Sequence, residues 1–316
     1  MLSLKQIKSV TFNSAKNAAS DPFYLVLQIG SLLVMLVLAC LPSLSEASHV
    51  RFVRDQCLSF VFIAGCLGVV FSTIKTVTDD IQRGAGDIMM SRPISANTFL
   101  LGKLCGLIFS QFLFFISLSA AYLWISEIVH YSADILYSSL ALYVIAVIAG
   151  PAIGAFRQAF FNKSFPFFTS LAIPAAMVIG LILRLVFGYP GDMDFLGLQA
   201  LLLLFFATLA FSGILLPSAV RFDTPIVLLS GALIFFLGLF SAYAIESIIP
   251  YEKLKTLSLS VVPNWQNYWI LDHLALKGKI NIQYILSCLS QSLLLCGLYL
   301  CLAIGIFEKR EINGNS

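Results

Sequence analysis

Eight stretches of about 20 mainly apolar residues recur along this chain of 316 residues, and a helix of that length crosses a lipid bilayer. Their predicted bounds are 22–41, 57–74, 99–125, 135–156, 166–187, 195–216, 225–248 and 282–307. Charged residues make up only 11% of the sequence, whereas a soluble domain usually carries about 25%. This composition excludes two soluble domains, a disordered chain and a disulfide scaffold. The sequence predicts an all-α polytopic membrane protein with a single transmembrane domain, residues 1–316.

One alternative concerns the number of spans. The run 57–74 is short, and only a few residues separate the runs 166–187 and 195–216. Those two runs could form a re-entrant pair, which would leave six full spans plus an extra hairpin. The residues between them include Gly-Tyr-Pro-Gly-Asp at 188–192, and this turn sequence favours two separate crossings.

The distribution of Lys and Arg predicts the orientation of the spans. With the N-terminus inside and eight crossings, 12 basic residues fall in inner segments and 6 in outer segments. The extracytoplasmic loop 250–281 opposes this trend with four lysines, but long loops influence orientation less. We therefore expect a multi-pass protein of the cell (inner or plasma) membrane with both termini cytoplasmic. The net charge of +3 is too small to indicate a nucleic-acid partner.

Residues 2–18 are predicted to form an interfacial helix on the cytoplasmic membrane surface. Leu4, Ile7 and Val10 recur at helical spacing and would face the lipid. A frayed tail is the alternative for this segment. The cations available to anionic headgroups are Lys5, Lys8 and Lys16.

Aromatic and basic residues near the ends of spans are predicted membrane anchors. In the loop 250–281, Asn264 is a candidate cap for an interfacial helix that ends near Gly278 and carries two Trp residues on one face. Contact between these Trp residues and a substrate is the alternative. The predicted anchors are Lys103, Trp265, Trp269, Lys309 and Arg310.

No pattern for catalysis, metal binding or a bound cofactor emerges from the sequence. The three histidines lack metal-ligand spacing, and among the seven cysteines only Cys40 and Cys57 lie at positions where a pair is conceivable. Gly102-Lys103 does not fit the phosphate-binding motif, so we expect no ATP hydrolysis by this chain. Arg184 is the one clear ionisable residue within a predicted span, and its side chain is expected to extend to the membrane surface.

The inner loop between the second and third spans, residues 76–98, is the most distinctive segment. Val77, Ile81, Ala85 and Ile88 form an apolar stripe at helical spacing, which predicts a short amphipathic helix. Pro93 ends that helix, and either of two polar residues can cap the third span. These cap candidates are Ser95 and Asn97. A helix presented in this way suits docking into a groove on a soluble partner.

This loop resembles that of the permease subunits of ABC type-2 transporters. The matching residues are Asp80, Arg83-Gly84, Met89-Met90, Arg92-Pro93-Ile94-Ser95 and Gly102-Lys103. Pro263-Asn264 and the basic ending at 307–311 are also similar to family features. Ala85, Ala96 and the two spans beyond the usual six depart from the family pattern.

The resemblance implies a coupling helix that docks on a cytoplasmic ATPase subunit. That partner would bind the ATP and magnesium, and a second permease copy would complete a homo- or heterodimeric exporter in the lipid membrane. The residues implied in ATPase coupling are Asp80, Ile81, Arg83, Gly84, Asp87, Ile88, Met89, Arg92 and Pro93. Two alternatives remain at this point, an ion-coupled secondary transporter and an ATP-driven mechanotransmitting subunit that passes no substrate.

Overall fold

The computed structural model describes residues 4–41, 46–82, 95–129, 133–186, 194–248, 250–270 and 280–314. Within these ranges the chain is helical almost throughout and contains no strand. Eight of the described helices are long and apolar enough to cross a membrane, which confirms the predicted all-α polytopic membrane protein.

The helices extend beyond the apolar runs at most of their ends. Helix α3 is the clearest case, because its α-helical part passes into a π-helical stretch, Ile74–Thr78, and a last α-helical turn, Asp79–Gln82. The helices are α1 (Leu4–Ala19), α2 (Pro22–Cys40), α3 (Glu46–Thr73 and onward to Gln82), α4 (Ala96–Ile128), α5 (Ala133–Phe161), α6 (Phe165–Val186), α7 (Phe195–Arg221), α8 (Thr224–Ile248), α9 (Glu252–Val261) and α10 (Ile282–Gly314).

Local sequence signals explain several of the helix starts. Pro22 occupies the first turn of α2, where its missing N–H costs no hydrogen bond. The Ser95 hydroxyl accepts a hydrogen bond from the backbone N–H of Thr98 (3.4 Å), which confirms one of the two predicted caps of the third span. Asp194 caps α7 through the N–H of Gly197 (2.9 Å).

Helices α6 and α7 correspond to the fifth and sixth predicted spans. Their lengths are 22 and 27 residues, and each contains a stretch long and apolar enough to cross a membrane. At about 1.5 Å per residue, each helix is longer than the roughly 30 Å hydrocarbon core. These lengths favour two full crossings over a re-entrant pair.

Helix α7 lies at the centre of the bundle and is its most buried span. It packs against α10, α3, α4 and α8. Helices α5 and α6 pack mainly against each other and form a hairpin at the side, which contacts the rest chiefly through α4. We call the end of the bundle where α3 ends and α4 begins the junction end.

The N-terminal segment is a helix, as predicted, but one of its faces is occupied by protein. Ser14 and Ala18 of α1 are buried, and α1 packs along the first turns of α4. Val10 therefore lies against α4 instead of lipid, while Leu4 and Phe12 are exposed beside the lysines of α1. This packing corrects the expectation that Leu4, Ile7 and Val10 together face the lipid, because α4 occupies the face that carries Val10.

The segment 250–270 differs from the single interfacial helix predicted from Asn264 to Gly278. It contains α9 and then a 3-10 turn, Trp265–Tyr268, with Asn264 as its cap through the N–H of Gln266 (3.0 Å). Gly278 lies outside the described residues. The 3-10 turn ends before Trp269, so the two Trp residues do not share a helical face.

Candidate coupling site

The last turns of α3 form the wall of the candidate coupling site. The π-helical stretch Ile74–Thr78 places Val77 in the core and lets the Thr78 hydroxyl donate to the carbonyl of Ala219 in α7 (3.2 Å). Ile81 packs partly buried against the same core. Val77 and Ile81 thus belong to the end of a spanning helix, which corrects the prediction that they begin a separate amphipathic helix. The other stripe positions, Ala85 and Ile88, lie outside the described residues.

A buried ion pair joins the end of α3 to the beginning of α4. The Lys103 ammonium donates to the Asp80 carboxylate; the Lys103 side chain is 5% exposed and that of Asp80 is 29% exposed. Lys103 was predicted as a membrane anchor, and that prediction is wrong because its charge is turned inward onto a carboxylate. Since Asp80 is one of the predicted coupling residues, the pair connects the distinctive loop directly to the bundle.

Aromatic contacts extend this connection to the last helix. The Lys103 ammonium lies 5.2 Å from the centre of the Phe99 ring, within the range of a cation–π contact. The Phe99 ring stacks on Phe307 of α10, with 5.7 Å between centroids and 25° between planes. We call Asp80, Lys103, Phe99 and Phe307 the α3–α4 junction. It ties three helices together at the junction end.

Further polar contacts fix the same turn of α3. The Gln82 amide donates to the Asp223 carboxylate (3.0 Å), which lies between α7 and α8. Lys75 and Asp79, one turn apart, form an ion pair of 3.3 Å. The chain therefore enters the segment 83–94 from a helix end held by several neighbours and leaves it at Ser95, the cap of α4.

The predicted site residues are placed unequally. Asp80 lies in the α3–α4 junction and Ile81 beside it. Lys309 is exposed on α10, which continues past the predicted basic stop, and the side chain of Arg310 is not among those described. The remaining predicted coupling residues lie outside the described residues: Arg83, Gly84, Asp87, Ile88, Met89, Arg92 and Pro93.

Two glycines of α4 have a role that the sequence interpretation missed. A Cβ at Gly102 would lie 2.7 Å from the Val10 side chain, and one at Gly106 would lie 2.5 Å from the Ser14 Cβ. The pair lets α1 approach the backbone of α4 closely. Spacing of four residues between glycines is the signal that could have revealed this contact, since small residues at that interval favour close helix packing in membranes.

Asp21 lies at the corner between α1 and α2, also near the junction end. Its side chain is buried, and that burial raises the pKa of the carboxyl above its ordinary value of 3.8. The Lys75 ammonium acts in the opposite direction and offsets part of the effect. Ionised Asp21 therefore opposes folding near neutral pH.

Replacement of Asp21 by Asn is expected to raise the melting temperature more at pH 7 than at pH 4. A carboxyl whose pKa is raised by folding contributes most below its unfolded pKa, and the contribution is lost as pH rises through the folded pKa. Thermal unfolding of the purified protein in detergent at both pH values measures the difference. Glu308→Gln, at an exposed position on α10, is the control; an equal pH dependence for both variants would contradict the assignment to Asp21.

Two other predicted side-chain positions are corrected by the structure. Trp265 is 2% exposed, and its indole N–H donates to the carbonyl of Phe235 (3.0 Å), because Gly238 leaves space on α8 for the ring. It is therefore not a lipid-facing anchor, whereas Trp269 stays partly exposed. Arg184 is buried within the protein instead of extending to the surface: it is 1% exposed, and its guanidinium donates to the carbonyl of Trp124 at 3.5 Å.

The structure places the cysteines and the candidate metal ligands of the described residues. All seven cysteines are free thiols, so Cys40 and Cys57 do not pair. No cluster of three His, Cys, Asp or Glu side chains that could hold a metal ion occurs among the described residues. No family model matches this sequence, and no curated protein matches it either.

Proposed function

We propose that this chain is the membrane-spanning permease subunit of an ABC transporter that exports its substrate. ATP would be hydrolysed by a separate cytoplasmic subunit, and a second permease copy would complete the transporter in the cell membrane. The proposal places both termini and the segment 83–94 on the cytoplasmic side. The observation that carries it is the buried ion pair between Asp80 and Lys103, at the point where the distinctive loop meets the spans.

Force generated by a partner protein must enter the membrane bundle through a contact between the two. A partner driven by ATP can move membrane helices only through a contact that is stiff on both sides. The α3–α4 junction supplies stiffness on this side, since displacement of Asp80 acts on Lys103 in α4 and, through Phe99, on Phe307 in α10. A push on the loop would therefore reach three spans together.

The segment 83–94 is the part of the chain that would contact the partner. It carries Arg83, Asp87 and Arg92 among apolar residues, a composition suited to docking in a groove with a charged rim. The loop has no room for an independent nucleotide-binding domain. An ATPase partner is therefore required by the proposal, and the chain itself would act as a non-enzymatic subunit.

Replacement of residues 83–94 by a Gly/Ser linker of equal length is expected to abolish co-purification with the proposed ATPase partner. Stimulation of ATP hydrolysis by the permease should disappear as well, because the docking side chains are gone. The matched control is the same kind of linker in place of 271–279, in the outer segment. If the 83–94 variant still binds and stimulates the ATPase as well as the control does, the coupling role is wrong.

A secondary transporter driven by an ion gradient is the second candidate. The buried Arg184 favours it, because an ionisable side chain inside a membrane bundle often marks a path for ions or charged substrates. Transport in sealed vesicles separates the candidates. ATP-dependent transport supports the exporter, gradient-driven transport without ATP supports the second candidate, and ATP hydrolysis without any transport supports a mechanotransmitting subunit.

A further inference from the structure

The hairpin of α5 and α6 contains a groove that the proposed function does not use. Its volume is about 550 Å³, and it runs between the two helices along their spanning parts. The floor is made of small residues, among them Ala146, Ala149, Ala172 and Ala176. Bulkier apolar side chains such as Ile153 and Leu183 form the rims. An open apolar groove with a floor of small residues fits an unbranched hydrocarbon chain.

The charged residue among those that line the groove is Arg157, near the junction end. Its guanidinium lies 5.0 Å from the ring centre of Phe168 and 5.4 Å from that of Phe161. These two rings hold the cation at the mouth of the groove, while Arg157 as a whole remains exposed. The Arg157 guanidinium thus lies where it would meet the headgroup of a lipid whose acyl chain occupies the groove.

The turn between α5 and α6 strengthens the positive charge at this mouth. Asn162 adopts a left-handed backbone conformation (φ 50°), which ends α5 and reverses the chain within a few residues. Residues 157–168 contain Arg157 and Lys163 and no acidic residue. Phe156 and Phe160 are exposed beside them, as aromatic residues at a membrane–water interface often are.

We propose that this groove binds an anionic phospholipid, with one acyl chain between α5 and α6 and the phosphate on Arg157. Basic pockets between spanning helices at the membrane surface have the charge and depth to hold such headgroups. A second copy of the chain suits the face less well. In a two-fold contact centred there, Arg157 and Lys163 of one copy would approach the same cations of the other, with no acid of the turn between them. The proposal is independent of any ATPase partner.

Photocrosslinking of the full chain in lipid nanodiscs tests the site. Phosphatidylglycerol with a photoreactive group in its acyl chain should label peptides of α5 and α6. Unlabelled phosphatidylglycerol should compete at about fivefold lower mole fraction than phosphatidylcholine, the preference expected for one basic residue at the surface. Arg157→Gln should remove that preference. Arg221→Gln is the matched control, because Arg221 is also exposed at the junction end and lies over a phenyl ring.

A second variant tests the groove separately from the charge. Ala176→Phe would fill the channel and should abolish labelling of α5 and α6, with gel filtration confirming that the protein is folded. If that variant does not fold, the test rests on Arg157→Gln, which is a substitution at an exposed position. A fivefold preference that survives Arg157→Gln would overturn the proposal. Cross-links between two protein chains at this face, in place of lipid labelling, would overturn it too and identify a dimer interface.

Discussion

Replacement of Asp80 by Asn is expected to destabilise the protein by about 3 kcal/mol. The substitution leaves the Lys103 ammonium buried without its counter-charge, and loss of one partner from a buried ion pair costs about 3–5 kcal/mol. We expect the lower end of that range because the Asp80 side chain is 29% exposed, so water can approach the site. Unfolding of the purified protein in mixed micelles, followed by helical circular dichroism, measures the change.

Replacement of Lys103 should destabilise the protein less than replacement of Asp80 does, and this difference is the sharper test. Lys103→Met replaces the buried cation by an apolar side chain of similar length and leaves Asp80, which water can partly solvate. The double variant Asp80→Asn/Lys103→Met should therefore be more stable than Asp80→Asn alone. If both single variants lose the same stability and the double variant loses their sum, the two side chains do not interact.

The double variant also separates folding from coupling. It retains the apolar packing of Phe99 on Phe307 but lacks the ionic connection between α3 and α4. If the proposed function is right, this folded variant should stimulate its ATPase partner less than the natural sequence does. Undiminished stimulation of the ATPase would show that the ion pair takes no part in coupling, although it still stabilises the fold.

Replacement of Gly106 by Leu is expected to detach α1 from the bundle. Its Cβ alone would lie 2.5 Å from the Ser14 Cβ and 2.8 Å from the Thr11 carbonyl oxygen, and backbone atoms cannot move aside without displacing the whole helix. Overpacking of this kind typically costs about 1–3 kcal/mol, and a leucine against backbone belongs at the upper end. The lysines of α1 then provide the measurement, because trypsin should remove α1 much faster from the variant.

Gly305→Leu is the matched control for this experiment. Gly305 also lies within a spanning helix, but a Cβ at that position would meet nothing within 4 Å. Its variant should release α1 no faster than the natural sequence. Equal trypsin resistance of Gly106→Leu and Gly305→Leu would contradict the close packing of α1 on α4.

The spans were predictable because each needs only a local run of apolar residues. Several of their ends were not, because a helix continues where its polar side chains find local partners. Helix α3 begins at Glu46, well before the apolar run at 57, and there Asp55 pairs with Arg51 (3.7 Å) and Arg54 (3.1 Å). Such pairs let charged residues extend a helix beyond its apolar run at little cost.

The site was predictable only in part, for a related reason. The chain pattern singled out Asp80, but its partner Lys103 lies 23 residues away on another helix, and one sequence does not reveal that pairing. The prediction for Trp265 was wrong for a similar reason: the gap that it fills is created by Gly238 on α8, a helix that the local pattern of the segment 250–270 does not include. Residue type alone predicted Lys103 and Trp265 as membrane anchors, whereas contacts between helices determine the surroundings of these two side chains.

The π-helical stretch Ile74–Thr78 has a consequence for the phase of α3. A wide turn accommodates one extra residue, and each residue of an α-helix corresponds to about 100° of rotation. Asp80 follows the wide turn, so its direction toward Lys103 depends on that inserted step. If this turn tightened into α-helical geometry, the final turn of α3 would rotate by roughly a quarter circle, while the part of α3 that precedes Ile74 stayed packed. The wide turn thus sets the angle at which the bundle presents its loop.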